Sequence, residues 1–270
     1  MVSPPTFPSI LIPASNWEAA KNEPFGIPGP TTIHSVPIEE SIPALLSVQQ
    51  VRDAYSRLAP FYGFWEGWTK GKARRFAMEL ANVRNGERVL EIAVGTGSAL
   101  ERLARSNPAG VTIGIDLTPA MLQRTLRLFR RRSLSLPRLC QCDARFLPFA
   151  GASFDLVFTS YMIESLAVCD IEKTFQEILR VLRPSGRLVL LHLSLGNPWF
   201  DRVWGALYWL IPTLLGGCRP IRVATYLPEA GFTAIRAEHA TELGIPTEVV
   251  LAKRAGGPED PAWASERLAN

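Results

Sequence analysis

The residues with the clearest capacity for chemistry follow an apolar run, RVLEIAV, which ends in a glycine turn, GTG, and continues into a helical pattern. Gly95 and Gly97 allow the backbone to turn sharply, and a ligand can approach their main-chain N–H groups without meeting a Cβ atom. A dinucleotide-binding turn would place a third glycine at position 100, where this chain has Leu100. The turn therefore predicts a ligand site that is not built for a pyrophosphate.

Two acidic residues near this turn narrow the choice of ligand. Glu91 lies shortly before the glycines, where it would repel a pyrophosphate but could receive an ammonium group. Asp116 ends the next apolar run, about twenty residues further on, where a carboxylate can accept two hydrogen bonds from ribose hydroxyls. A simple helix-capping role is the alternative for Asp116. We expect a nucleoside ligand with a cationic amino tail and no phosphate.

Short apolar runs alternate with amphipathic helical segments along most of the chain. The runs predict strands over 88–94, 111–116, 137–144, 154–160, 186–194, 232–240 and 247–254. Helices are predicted over 48–58, about 70–80, 98–106, 119–132, 170–182 and 198–215. This alternation indicates an α/β, doubly wound three-layer sandwich with a mostly parallel seven-stranded sheet and an N-terminal helical cap. Only TELGIP separates the last two strands, so an antiparallel strand should close one end of the sheet.

Four ordered motifs resemble those of the class I S-adenosylmethionine-dependent methyltransferases: VLEIAVGTG, TIGIDLTPAML, CDARFLPFAGASFDLVFTS and EILRVLRPSGRLVLL. The resemblance covers about residues 57–194 and implies S-adenosylmethionine as cofactor. It implies that the methionine moiety contacts the first motif, at Glu91, Ala93, Gly95, Thr96 and Gly97. The nucleoside would contact the next two motifs: the ribose and the adenine edge at Asp116 and Leu117, the adenine face at Met121, and the adenine amino group at Asp143 and Ala144. The sulfonium would lie beside Ser160 and Tyr161. The alternatives are core packing for Met121 and a turn-forming role for Asp143.

Two further segments, YSRLAPFY (55–62) and NPWFDRVWGALYWLIPTLLGG (197–217), resemble the ubiquinone/menaquinone biosynthesis C-methyltransferases and the bacterial phospholipid N-methyltransferases. In that group N-terminal helices close over the cofactor, which implies a contact from Tyr55. An aromatic insertion after strand five would line the acceptor pocket with Trp199, Phe200, Trp204, Tyr208, Trp209 and Leu210. Packing in the core or in a dimer contact is the alternative for these side chains.

The sequence departs from the quinone pattern at two places. Where those enzymes usually carry an Arg-Asn pair after strand four, this chain has YMIESL, with Glu164 and Ser165. Where those enzymes have an acid in strand five, this chain has His192. Because an imidazole ordinarily titrates near neutral pH, His192 is the candidate general base. A structural hydrogen bond is the other interpretation of His192. Tyr62 and Tyr161 are alternative hydroxyls for positioning the acceptor.

Composition and charge set the remaining expectations. The 270 residues fit one α/β domain over 48–254, with a helical cap (48–86) and an aromatic acceptor-pocket insertion (195–225), flanked by a proline-rich extension (1–47) and a tail (255–270). The four cysteines lack the spacing of a disulfide framework or a zinc site, so we predict no metal. The N-terminus lacks the features of a signal peptide, and the chain lacks a nucleic-acid motif.

These observations predict methyl transfer to a small lipophilic acceptor at carbon, nitrogen or oxygen, in a cytoplasmic protein that could form a homodimer. Phospholipid head-group N-methylation is an alternative, because residues 48–254 carry a net charge of +9: the overall charge of +4 includes −3 from residues 1–47 and −2 from residues 255–270. That alternative implies a peripheral membrane contact. The third hypothesis is that the protein binds S-adenosylmethionine without catalysing a reaction.

Overall fold

The computed structural model describes residues 42–60, 71–196, 198–242 and 244–256. Its strands are β1 Arg88–Ile92, β2 Val111–Asp116, β3 Arg138–Gln141, β4 Phe154–Ser160, β5 Leu182–Leu193, β6 Phe232–Glu242 and β7 Ile245–Arg254. Its α-helices are α1 Val48–Leu58, α2 Lys72–Ala81, α3 Ser98–Ser106, α4 Pro119–Arg131, α5 Val168–Val181 and α6 Pro198–Leu210. Short 3₁₀ turns lie at Ile163–Ser165 and Val223–Thr225.

The strands form one seven-stranded sheet in the order β3-β2-β1-β4-β5-β7-β6. The pairs from β3 to β5 are parallel, whereas β7 is antiparallel to both β5 and β6. The predicted α/β three-layer fold is therefore confirmed. The expectation for the end of the sheet was wrong in one respect, since β6 and not the antiparallel strand is outermost. Burial explains this order: β7 is almost wholly buried between its neighbours, while Arg236–His239 of β6 are exposed at the edge.

Alternation along the strands divides the core into two layers. Leu90 and Ile92 of β1 contribute to the layer beneath α5, whereas Val89, just before them, packs with α2 and α3. In β4, Val157 likewise faces the α5 side while Leu156 and Phe158 face the other. Side chains of successive strand residues point to opposite faces, so each strand supplies both layers.

Capping and proline residues set the helix ends that matter for the site. Helix α1 begins at a capping box in which the Ser47 hydroxyl accepts from the Gln50 backbone and the Gln50 side chain accepts from the Ser47 backbone. Helix α6 ends at Leu210, short of the predicted residue 215, because Pro212 disfavours helical continuation. Within the part of the chain that the structure describes, none of the helices combines the length and hydropathy needed to span a membrane.

Candidate functional site

A cleft opens at the carboxyl ends of β1, β2 and β4, beneath α1, with an empty volume of about 1040 Å³ including its open mouth. All the predicted cofactor residues except Gly97 line it: Tyr55, Glu91, Ala93, Gly95, Thr96, Asp116, Leu117, Met121, Asp143, Ala144 and Ser160. Tyr161 also lines the cleft. The topology thus brings together residues from three of the four motifs and from the helical cap.

The glycine turn between β1 and α3 has an unusual backbone. Ala93, Gly95 and Gly97 have positive φ angles of 59°, 53° and 84°. A Cβ on Gly97 would lie 2.7 Å from Cγ2 of Thr125 in α4, and the Thr125 hydroxyl donates a hydrogen bond to the Gly95 carbonyl at 3.1 Å. Gly97 therefore allows close packing of α4 behind the turn, which explains why it does not line the cleft.

Asp116 is 7% exposed at the end of β2, and the turns on either side of the cleft hold its carboxylate. Oδ2 accepts a hydrogen bond from the Gly95 N–H at 3.0 Å, and Oδ1 accepts one from the Thr118 N–H at 2.8 Å. Burial raises the pKa of Asp116 to about 6, although these two hydrogen bonds act in the opposite direction. At neutral pH the side chain is largely ionised, and each oxygen retains a lone pair for a further donor.

Asp143 is held by an arginine from its own turn. Arg145 Nη2 lies 2.7 Å from Asp143 Oδ2, the Arg145 backbone N–H donates to Oδ1 at 3.0 Å, and Arg145 Nη1 reaches Asp170 Oδ1 at 2.9 Å. The hydrogen bond with Asp143 is the main reason that the pKa of Arg145 is raised. Asp143 therefore lines the cleft and also stabilises its own turn, as the turn-forming interpretation expects, while its contact with the adenine amino group stays a prediction.

Arg74 is a cleft residue that the sequence reasoning missed. It lies on α2, is 7% exposed, and donates from Nη1 to the Ser98 hydroxyl at 2.7 Å at the start of α3. It places a guanidinium on the same cleft as Glu91. No motif marks Arg74, since only the packing of α2 over the glycine turn brings it there.

Apolar side chains from α1 and from the residues after β4 also line the cleft, with Val48, Val51, Met162 and Leu166 among them, and we call this set the apolar half of the cleft and the motif residues its polar half. Two tyrosines also line the cleft. Tyr55 Oη lies 3.4 Å from Cys218 Sγ, and Tyr161 Oη lies 3.2 Å from Thr247 Oγ1. Tyr161 has a φ of 54°, an uncommon conformation for a non-glycine residue and one that often accompanies a functional site.

His192 lies in the described part of the chain but is not among the residues that line the cleft. It is fully buried, with Nε2 at 2.9 Å from Glu248 Oε2 and Nδ1 at 3.2 Å from the Leu193 carbonyl. Burial tends to raise the pKa of Glu248, but the hydrogen bond and charge of His192 outweigh it and lower the pKa. Because both ring nitrogens face acceptor oxygens and a base must reach its proton, the geometry favours the structural reading of His192 over the general base.

The aromatic insertion also differs from its predicted placement. None of Trp199, Phe200, Trp204, Tyr208, Trp209 and Leu210, all within the described residues, lines the cleft. The inner face of α6 packs elsewhere: the Tyr208 hydroxyl accepts from the Leu45 N–H at 2.9 Å, and Trp204 Nε1 donates to the Cys218 carbonyl at 3.1 Å. Tyr62, the other predicted hydroxyl, lies outside the described residues.

Comparison with known proteins agrees with this arrangement. The methyltransferase domain model matches residues 89–186. The demethylmenaquinone methyltransferase of Thermus thermophilus is 34% identical over 166 residues, which cover 58% of this chain and 71% of the relative. That of Lactobacillus johnsonii is 30% identical over 187 residues, covering 65% and 74%. A parallel sheet with a glycine turn and an acidic cleft defines the nucleoside-binding α/β class. The chain belongs to the S-adenosylmethionine-dependent methyltransferases.

Solved structures support the fold alone. A [4+2]-cyclase aligns with a TM-score of 0.61 at 19% identity, covering 81% of this chain and all of the other. An N-methyltransferase from Bradyrhizobium japonicum, solved with S-adenosyl-L-homocysteine, aligns with a TM-score of 0.54 at 18% identity, covering 69% and 86%. The two proteins are named for different reactions, so the acceptor has to be argued from the cleft of this chain.

Proposed function

We propose that this enzyme transfers the methyl group of S-adenosylmethionine to a small lipophilic acceptor held in the apolar half of the cleft. The observation that carries the proposal is the shared cleft, which is lined both by Asp116, Asp143 and the glycine turn and by apolar side chains of α1 and of the residues after β4. A ligand that spans the cleft would have its nucleoside at the first group and its reactive centre near the second.

The polar half of the cleft has the chemistry that the cofactor requires. The Asp116 carboxylate is ionised near neutral pH and would accept hydrogen bonds from the two ribose hydroxyls. Glu91 would attract the ammonium group of the methionine moiety, and Arg74 would attract its carboxylate. The amino end of α3, at Ser98, adds a favourable partial charge for that carboxylate. Met121, 1% exposed, offers a polarisable surface for the adenine ring.

When bound, S-adenosylmethionine supplies an electrophilic methyl group on a positively charged sulfur. The contribution of this chain is then to hold an acceptor atom in line with that group and to exclude water. Ser160 and Tyr161, at the end of β4, would border the reacting atoms. Val51 and Leu166 would shield them from solvent, and α1 would cover the cleft.

A quinone precursor is the acceptor class with most support. Relatives of which this chain covers about two thirds or more are named for demethylmenaquinone or for ubiquinone/menaquinone biosynthesis. The quinone precursors of these pathways combine a polar ring with an apolar tail. The apolar half of the cleft suits that chemistry. Phospholipid head-group N-methylation is the second candidate, favoured by the exposed apolar surface of α6.

The experiment is a transfer assay with methyl-labelled S-adenosylmethionine and three acceptors: a short-chain demethylmenaquinol, a short-chain methoxybenzoquinol that lacks the ring methyl group of ubiquinol, and phosphatidylethanolamine vesicles. We expect label in one of the quinols. Label in phosphatidylethanolamine alone would rule out a quinone precursor as the acceptor and support phospholipid head-group N-methylation. Binding of S-adenosylhomocysteine, measured in parallel by calorimetry, tests the cofactor half separately, and an absence of binding would refute the proposal.

A further inference from the structure

The exposed hydrophobic side chains of this protein are concentrated in one place. Of the eight large hydrophobic side chains that are exposed in the described residues, six lie within residues 199–214, and the other two are Leu136 and Phe146. The six are Trp199 at 73% exposure, Val203 at 39%, Leu207 at 39%, Trp209 at 61%, Leu210 at 78% and Leu214 at 59%. A contiguous apolar surface of this kind marks an interaction site.

Helical geometry places these side chains on one face. Trp199, Val203, Leu207 and Leu210 are spaced by four, four and three residues along α6, so they form a single stripe on its outer side. The opposite side is already occupied, because Phe200 stacks on Trp204 with ring centroids 5.4 Å apart and Tyr208 is fully buried. The outer side of the helix, which we call the α6 face, carries this stripe together with Trp209 and is turned to solvent.

The charge around the α6 face decides what would cover it. Arg202 is exposed on the same side of the helix, and residues 48–254 carry a net charge of +9. Two copies brought together through this face would also bring together two positively charged chains, each with a net charge of +4 overall and +9 over residues 48–254. An anionic bilayer would instead attract the charge and accept the apolar side chains, and tryptophan favours the interface between lipid and water.

The α6 face is linked to the cleft through the chain that follows it. A Cβ on Gly216 would lie 2.9 Å from the Tyr55 ring, and one on Gly217 would lie 3.2 Å from Val51 Cγ2, so residues 216–217 pack directly on α1. Tyr55 and Val51 line the apolar half of the cleft. A surface that docks α6 on a bilayer would thus lie beside the entrance that a lipophilic acceptor needs.

We propose that the α6 face is a docking site for an anionic lipid bilayer, in which α6 lies in the interface with Trp199, Trp209 and Leu210 inserted among the lipids. The docking itself is independent of the methyl-transfer reaction. Its purpose, the delivery of an acceptor from the membrane, rests on the proposed function.

Flotation of the full chain with phosphatidylcholine vesicles, with and without phosphatidylglycerol, tests this proposal. We expect binding to the anionic vesicles that weakens as salt is added. The double variant Trp199→Glu/Leu210→Glu should bind at least about tenfold more weakly, because it replaces two inserted apolar groups by repelled charges. The matched control is Leu136→Glu, which changes a side chain of 43% exposure away from α6 and should bind as the parent does.

A second measurement separates contact from a change of structure. Brominated lipids should quench the tryptophan fluorescence of the parent, and Trp199→Phe/Trp209→Phe should lose most of this quenching while it still floats with the vesicles. The proposal is overturned if the parent ignores anionic vesicles, if the double glutamate variant floats equally well, or if the parent is a dimer that this variant dissociates. Calorimetry with S-adenosylhomocysteine on the same samples reports the cofactor site, so failure of docking and failure of the proposed function are distinguishable.

Discussion

The two halves of the cleft are assembled in different ways. The polar half is held by contacts between neighbouring motifs: the Gly95 N–H to Asp116, across 21 positions, and the Arg145 guanidinium to Asp143, two positions apart. The apolar half depends on contacts between distant segments. Tyr55 meets Cys218 across 163 positions, and the Arg219 Nε donates to the Ile42 carbonyl at 2.6 Å across 177.

This difference teaches which part of the protein the fold determines and which part is specific to this chain. Apart from Arg74 of α2, the polar half uses the strand ends of a parallel sheet and the turns that follow them, which the motifs of the sequence mark directly. The apolar half needs α1, residues 216–219 and the turn at Glu164 to pack together. Cofactor affinity and the stability of the apolar half should therefore respond to different substitutions.

The largest expected effect is on the polar half. Asp116→Ala should weaken S-adenosylhomocysteine binding by about a hundredfold or more, because two hydrogen bonds to a charged group are lost. Isothermal calorimetry measures the change. The control is Tyr208→Phe, which removes a buried hydroxyl beside α6 and should leave the affinity unchanged. Equal affinities of Asp116→Ala and the parent would contradict the ribose role.

The next effect tests the apolar half through Glu164. This side chain is fully buried, Oε1 accepts from the Leu193 N–H at 3.2 Å, and Oε2 has no hydrogen-bond partner among the described residues. Burial raises the pKa of Glu164 to about 7, although the charge of His192 partly opposes the shift. The folded state therefore holds this proton more tightly than the unfolded state, so the contribution of Glu164 to stability falls as the pH rises from about 4.5 to about 7.

Glu164→Gln keeps an acceptor for the Leu193 N–H and cannot ionise. It should be more stable than the parent by about 2 kcal/mol at pH 8, and the two should converge near pH 5. Denaturant unfolding at both pH values measures the difference. If the free energy of unfolding depends on pH in the same way in both proteins, Glu164 does not titrate as its surroundings imply. The affinity for S-adenosylhomocysteine is the control, and we expect Glu164→Gln to leave it unchanged.

A smaller effect concerns the pH dependence of the polar half. Only ionised Asp116 can accept both ribose hydrogen bonds, and its pKa is raised by burial to about 6, so affinity for S-adenosylhomocysteine should fall as the pH drops below that value. We expect about a tenfold loss at pH 5 relative to pH 7. Calorimetry of Asp116→Asn provides the control, since an amide should show no such dependence. A flat profile for the parent would argue that Asp116 is not the pH-sensitive acceptor.

The smallest effect concerns backbone strain in the glycine turn. Ala93 has a φ of 59°, which glycine adopts at lower cost, so Ala93→Gly should stabilise the fold by about 0.5 kcal/mol. Gly97→Ala is the matched opposite change, and its methyl group would meet Thr125 at 2.7 Å. It should destabilise the fold in the same denaturation assay. A loss of stability in Ala93→Gly would indicate that the packing of the Ala93 methyl group outweighs the strain.

The sequence predicted the sheet well because its signals are local. The strands at 111–116 and 154–160 and the helix at 98–106 have the predicted bounds, since the spacing of their apolar residues marks them directly. The residues that line the polar half followed from the rule that ligands bind at strand ends. Arg74 was missed because α2 carries no motif, and its place depends on tertiary packing.

The misplaced expectations all involve partners that are remote in sequence. The sequence around His192 contains no sign of its partner Glu248, so the histidine was predicted to be available for proton transfer. Glu248 lies on β7, and the antiparallel pairing of β7 with β5 brings it beside His192. The aromatic residues of α6 read as a pocket because their composition is apolar. Composition alone does not show which face of α6 is turned toward the core. The hydrogen bonds with Leu45 and Cys218 determine that orientation.

The most direct test of the central claim, that one cleft joins a nucleoside half to an apolar acceptor half, is a crystal structure with S-adenosylhomocysteine. We predict ribose hydroxyls within hydrogen-bonding distance of the Asp116 carboxylate, the amino-acid tail between Glu91 and Arg74, and the sulfur facing Tyr161 and the apolar residues beneath α1. A ligand bound elsewhere, or one bound in the cleft with its sulfur turned away from the apolar half, would contradict the claim.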